Sequence, residues 1–216
     1  MGARAASSHT GALAGNDRIY DDVLRQSGVI RAKALREMLE YARAIPVLPT
    51  PKGENAVIIT GAGGSGVLLS DACVDNGIRL MAMPPDLDAA FRKFIPPFGA
   101  AGNPVDITGG EPPKTYQNTI RLGLEDPRIH SLILGYWHTI VTPPMVFAKL
   151  VVEVVDEMKA KGIHKPIVVS LAGDVQVEEA AEHLFDHGSP AYPYSTEMPV
   201  MVLGAKYKWA RGAGLI

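Results

Sequence analysis

Apolar positions along this chain switch between two periods, and the switches mark its elements. Ile19, Tyr20, Val23 and Leu24 stand at helical spacing behind Asn16 and Asp17. Either of those two can cap a helix running to about Gln26, and Gly28 stops it. Leu35, Met38, Leu39 and Ala42 share one face of a second predicted helix, over about 32–43. Pro46, Pro49 and Pro51 then break all periodicity and predict a stiff linker. Two helices bury little by themselves. Residues 1–45 therefore read as the end of something larger, 46–54 as a Pro-rich linker and 55–216 as a separate domain.

Beyond the linker, short apolar runs rich in β-branched residues alternate with helical stretches. Strands are predicted at 56–60, 78–83, 131–137, 166–171 and 191–194, with a short extended piece at 105–108. Helices are predicted from the glycines after 60 to about 76, then at 86–94, 113–124, 144–161 and 175–186, with a last one reaching about 211. This rhythm predicts an α/β fold of right-handed βαβ units. The parallel sheet carries helices on both faces and is preceded by a short helical segment. Ligands of such sheets bind beyond the carboxyl ends of the strands, so the loops there are the ones to search for chemistry.

Composition narrows the class. The 216 residues are 47% hydrophobic and 20% charged, enough apolar material for a real core. A formal net charge of −2 with no basic stripe argues against nucleic acid. No apolar run approaches the ~18 residues of a membrane span. The single cysteine, Cys73, excludes an internal disulfide framework and argues for a reducing compartment. The start, Met-Gly-Ala-Arg, has no apolar signal-peptide region, so the expected location is cytoplasmic.

Four loops carry candidate chemistry. Gly61, Ala62, Gly63, Gly64, Ser65 and Gly66 follow a predicted strand and open a helix. Their backbone can approach an anion closely and aim unpaired N–H groups at it. Gly61, Gly63 and Gly66 also match the spacing of a dinucleotide fingerprint, but the acidic residue expected some 20 positions on is replaced by Met83-Pro84-Pro85, with Asp86 late. No lysine follows the glycines, so this is not a P-loop. Asn103 and Asp106 can bind a ligand or brace their own loop, as Asx residues often do. Thr142, before Pro143 and Pro144, is a candidate N-cap whose helix aims its positive end at the same crevice, and His138 lies nearby. His9 sits among small residues, and a neutral imidazole is a competent nucleophile near pH 7. No metal-ligating cluster is assigned.

Taken in order, these segments resemble a known family. Ser8-His9-Thr10-Gly11-Ala12-Leu13-Ala14-Gly15, Tyr20 and Gly28-Val29-Ile30-Arg31 resemble the end of the phosphohistidine domain of nucleoside-diphosphate-forming acyl-CoA synthetases. These are the ADP-forming acetate–CoA ligases and the relatives of succinyl-CoA synthetase. Val57 through Val67, Asp71-Ala72-Cys73, Pro96-Pro97-Phe98, Asn103-Pro104-Val105-Asp106 and Pro166-Ile167-Val168-Val169 are similar to their second flavodoxin-like domain. The resemblance covers nearly the whole chain. It implies a flavodoxin-like sheet, and an acid–thiol ligase that interconverts acyl-CoA, ADP and phosphate with free acid, CoA and ATP. His9 would carry the phosphoryl group, held where two helix N-termini converge, the second being the helix after Thr142. The loop 61–66 would hold phosphate or acid, with Asn103 and Asp106 bracing or lining the pocket. The family's CoA-binding domain, most of the phosphohistidine domain and the ATP-grasp module have no counterpart here. The chain is thus expected to be a fragment or subunit. CoA and ATP or ADP, with Mg, are expected only with those partners, and none is expected to be tightly bound. The other expected partner is a small carboxylic acid or acyl phosphate, and a homo-oligomer is open. Two other readings stay open: a non-catalytic flavodoxin-like association or regulatory module, and an NAD(P)-binding oxidoreductase.

Overall fold

Residues 16–216 are described by a computed structural model of the chain. Helix α1 (Asp17–Gln26) starts where the capping signal places it, with the Asn16 side chain accepting the Arg18 amide at 3.0 Å. Helix α2 (Leu35–Ala44) follows. No residue of α1 is buried, and in α2 only Ala44 is. Ile19, Val23, Leu35, Met38 and Leu39 all remain exposed. The proline-rich stretch behaves differently. Leu48 and Pro51 are buried, and the Lys206 ammonium donates to the Ile45 carbonyl at 3.1 Å.

The rest of the chain runs β1 (Asn55–Thr60), α3 (Gly63–Asp75), β2 (Arg79–Leu80), α4 (Pro85–Arg92), β3 (Val105–Asp106), α5 (Pro113–Glu125) and β4 (Ser131–Trp137). It continues with α6 (Pro144–Ala160), β5 (Ile167–Ala172), α7 (Gln176–Asp186), β6 (Ala191–Pro193) and α8 (Glu197–Gly212). Every strand pairing is parallel, in the order β2-β1-β4-β5-β6, with β3 also on β1. This is the flavodoxin-like order, and its switch point lies between β1 and β4.

Period-two alternation sorts the core into two layers. Val57, Ile59, Leu132, Leu134, Ile167 and Val169 pack with residues of α4, α5, α6 and α7. Ala56, Ile58, Ile133 and Val168 pack with Leu69 and Cys73 of α3 and Leu203 and Tyr207 of α8. Fully burying one such aliphatic side chain stabilises by roughly 1.5–3 kcal/mol, so the two layers carry the fold. Burial pushes the Cys73 thiol up to about 12, so it serves as packing.

The strand expected at 78–83 shrinks to two residues, and the reason is local. β2 pairs with Asn55 and Ala56, whereas β3 pairs with Ile59 and Thr60, so two short strands share one edge of β1. The side chain of Asn103 fills the gap between them. Its amide nitrogen donates to the carbonyls of Ala56 (2.9 Å) and Met81 (3.0 Å), and its oxygen accepts the Ile58 amide (3.0 Å). A side chain here completes the ladder that a longer strand would have made.

Candidate functional site

The carboxyl end of β1 meets the start of α3 at the switch point. The Gly61 amide donates to the Gly135 carbonyl at 3.0 Å, extending the ladder to β4 by one residue. The Thr60 hydroxyl accepts the Ala62 amide and donates to the Ala62 carbonyl, both at 3.0 Å, which closes the turn. The first helical bond runs from the Gly66 amide to the Ala62 carbonyl. The amides of Gly63, Gly64 and Ser65 therefore have no partner inside the helix and stand at its positive end.

Neighbours explain two of the glycines. A Cβ on Gly61 would lie 1.9 Å from the Tyr116 hydroxyl, and one on Gly63 would lie 2.8 Å from Asp106 Oδ2. Gly64 differs, because a Cβ there would meet nothing within 4 Å. The open side of the turn is thus at Gly64 and Ser65. Asp106 leans on the closed side. Its Oδ1 accepts the Thr108 amide at 2.9 Å, and Thr108 is held at φ +65°, in the left-handed region that non-glycine residues avoid.

Asn103 and Thr142 do not offer their polar groups to this crevice. All three Asn103 bonds go to backbone, as described above, so it braces. Thr142 was expected to cap α6, but the cap position is Pro143, without a side-chain hydrogen bond. Thr142 is buried, and its hydroxyl donates to the Glu111 carbonyl at 2.9 Å. Pro143 and Pro144 carry no N–H, and the Phe147 amide is taken by the Pro143 carbonyl. Only the amides of Met145 and Val146 are left in that first turn. His9 lies outside the described residues.

Two tyrosines that the sequence did not single out hold the site together. Tyr136 stacks on Phe147 (centroids 4.4 Å apart), and Tyr116 meets the same ring edge-on at 5.2 Å. Both hydroxyls reach up to the loops: Tyr116 abuts Gly61, and Tyr136 donates to the Thr142 carbonyl at 2.6 Å. Burial pushes both phenols above their ordinary range, so they stay protonated. Farther along the same edge, His138 Nδ1 lies 3.2 Å from Asp174 Oδ1, and the Tyr194 hydroxyl donates to the Asp174 carbonyl (3.3 Å) and to Glu178 (3.2 Å). Tyr194 sits at φ +61°. Helical spacing gives no hint of these contacts, because they join three separate loops and the start of α7. Asp86, the late candidate for a ribose contact, is instead paired with Arg128 at 2.8 Å, which pulls its carboxyl below the usual range.

A parallel sheet in flavodoxin order, with a helix N-terminus left open at its switch point, defines a doubly wound α/β domain. A family model described as the Ligase-CoA domain matches residues 56–216, and one described as the succinyl-CoA ligase like flavodoxin domain matches residues 1–45. The chain belongs to the Ligase-CoA family, among the nucleoside-diphosphate-forming acyl-CoA synthetases. The flavodoxin name thus attaches to 1–45, read above as the end of a phosphohistidine domain. The Ligase-CoA name attaches to the stretch read as the flavodoxin-like domain.

The relatives agree. The subunit alpha of ADP-forming acetate–CoA ligase I of Pyrococcus furiosus is 41% identical, over 97% of this chain and 44% of its own length. The ADP-forming 4-hydroxybutyrate–CoA ligase of Nitrosopumilus maritimus is 36% identical, over 97% of this chain and 29% of its own length. The dinucleotide forming acetyl-coenzyme A synthetase 1 of Ca. Korarchaeum cryptofilum, solved with phosphate and ADP, superposes with a TM-score of 0.90. It is 36% identical and covers 99% of this chain and 45% of its own. The chain spans under half the length of these relatives. Among its described residues, no helix is long and apolar enough to cross a membrane.

Proposed function

We propose that this chain is the Ligase-CoA part of a cytoplasmic ADP-forming acyl-CoA synthetase, an acid–thiol ligase. The observation that carries the reading is the row of unspent amides at Gly63, Gly64 and Ser65, beside the switch point. Phosphate displaces CoA from the acyl thioester, giving an acyl phosphate. A His9 nitrogen then attacks its phosphorus, and the carboxylate leaves. ADP takes the phosphoryl group from the histidine and departs as ATP.

In this reading the open amides of Gly64 and Ser65 bind the phosphoryl oxygens, and the positive end of α3 offsets their charge. In this reading Asp106 does not contact the anion. Its task is to hold Thr108 and the closed side of the turn. Met145 and Val146 supply what α6 contributes. CoA, ATP or ADP and Mg bind on CoA-binding and ATP-grasp partners, which turnover requires.

The test adds those two partners to the purified chain together with ATP labelled on its terminal phosphate. Label is expected on the chain and is expected to disappear in His9→Ala. Label that survives the substitution, or that never forms on the unaltered chain, overturns the reading. A non-catalytic association module would bind the partners and take no label.

A further inference from the structure

The amino ends of the strands, opposite the glycine turn, hold a cavity with no part in the reading above. Lys52 precedes β1, His130 precedes β4 and Lys165 precedes β5, and the three meet around a space of about 180 Å3. Its apolar lining comes from Leu124, Ile129 and Ile163. A smaller space of about 60 Å3, sharing Leu124, Ile163, His164 and Lys165, adjoins it.

The polar groups here point to one kind of ligand. Lys165 is half-buried, and its ammonium donates only to the Asp126 carbonyl, at 2.6 Å. Among the described residues it has no carboxylate within salt-bridge distance; the Asp126 carboxylate acts on it only from farther off and is paired with Arg128 at 2.6 Å. Lys52 likewise has no ion pair among the described residues. Glu125 also lines the space, but Lys161 holds it at 2.8 Å. His130 accepts the Asn55 amide on Nδ1 at 3.0 Å, and burial and Lys165 both disfavour its charged form. Its proton therefore sits on Nε2, as a donor. A half-buried cation with no salt bridge and an N–H donor beside an apolar cavity complement a carboxylate attached to an apolar body. The space is open to solvent on one side, and its volume of about 180 Å3, against the roughly 150 Å3 that holds a benzene, sets the size of that body.

We propose that this cavity is a second binding site, for a monocarboxylate whose apolar part is about as large as a benzene ring. The carboxylate bonds Lys165 and His130, Lys52 adds its charge at the mouth, and the ring or branched chain packs on Leu124, Ile129 and Ile163. The site is remote from the glycine turn, so it is regulatory or accessory.

Benzoate is the probe. Titration of the isotopically labelled chain, followed by amide and methyl shifts, is expected to saturate, with the shifts gathered on Leu124, Ile163 and the strand starts. Benzamide, of the same shape without the charge, is expected to bind about ten-fold more weakly, as is benzoate to Lys165→Gln. Lys52→Gln, altered at an exposed position, is expected to lose about three-fold. Equal binding of benzamide overturns the site, as does the absence of saturation. Shifts that gather at the glycine turn also overturn it, and they would credit the acid to the site proposed above. Mapping on the unaltered chain keeps the test valid should a variant fail to fold.

Discussion

Helices α3 and α6 leave neighbouring parallel strands at the same edge of the sheet, yet their first turns differ in kind. α3 starts from Ala62 with Gly63, Gly64 and Ser65, and all three amides remain free of helical partners. α6 starts from Pro143 and Pro144, which have no N–H, and the hydroxyl that could cap it is turned inward to Glu111. Topology brings both positive ends to the switch point, but local sequence decides which can receive an anion. The same aromatic stack serves both turns, Tyr116 beneath Gly61 and Tyr136 beneath Thr142. The two turns are thus equally well supported and unequally available.

The largest effect expected from testing this contrast is at the closed side of α3. Gly61→Ala drives a methyl group into the Tyr116 hydroxyl, and overpacking of this severity should destabilise the chain by about 3 kcal/mol in chemical denaturation. Combining it with Tyr116→Phe removes the nearest clashing atom and should recover part of the loss. If the double variant is no more stable than Gly61→Ala, the contact is not the cause.

Thr142→Val should cost about 1 kcal/mol of stability through the lost bond to Glu111, and leave phosphate affinity within about two-fold. A large drop in phosphate binding, read by titration of the complex with its partners, would return Thr142 to the anion site and erase the contrast. Gly64→Ala is the reverse case. Its methyl group meets open space, so stability should change by about 0.5 kcal/mol or less, whereas phosphate binding should weaken about ten-fold.

The subtlest test lies at the opposite edge. Burial pushes the Lys165 ammonium down to about 8, against an ordinary 10.5. Between those values the unfolded chain binds more protons than the folded one, so this residue makes stability rise with pH. The stability difference between the unaltered chain and Lys165→Gln should therefore shift in favour of the unaltered chain between pH 7.5 and 9.5. A difference that stays flat would mean that Lys165 is fully solvated.

Most of the architecture was legible from periodicity. The strand expected at 131–137 matches β4, and the boundary of α1 follows the Asn16 cap. The failure at 78–83 is instructive. Alternation of apolar residues says that a segment suits a strand, not that a neighbour is available along its whole length, and Asn103 had taken that place. The site was half legible. Glycines after a strand announce an open turn, because no other residues leave the backbone so exposed. The inward bonds of Asn103 and Thr142 were invisible, since an Asx or threonine side chain takes whichever partner the fold brings near.

The order of residues alone settled most of the helices and strands, that the sheet is parallel and where its open glycine turn lies, because these follow from near-neighbour spacing and backbone sterics. Folding in three dimensions decided that the Thr142 hydroxyl turns inward to Glu111, that Tyr116 and Tyr136 underpin the two helix starts, and that Lys52, His130 and Lys165 converge on one cavity. These depend on contacts between residues tens of positions apart, and such contacts leave no periodic trace along a single chain.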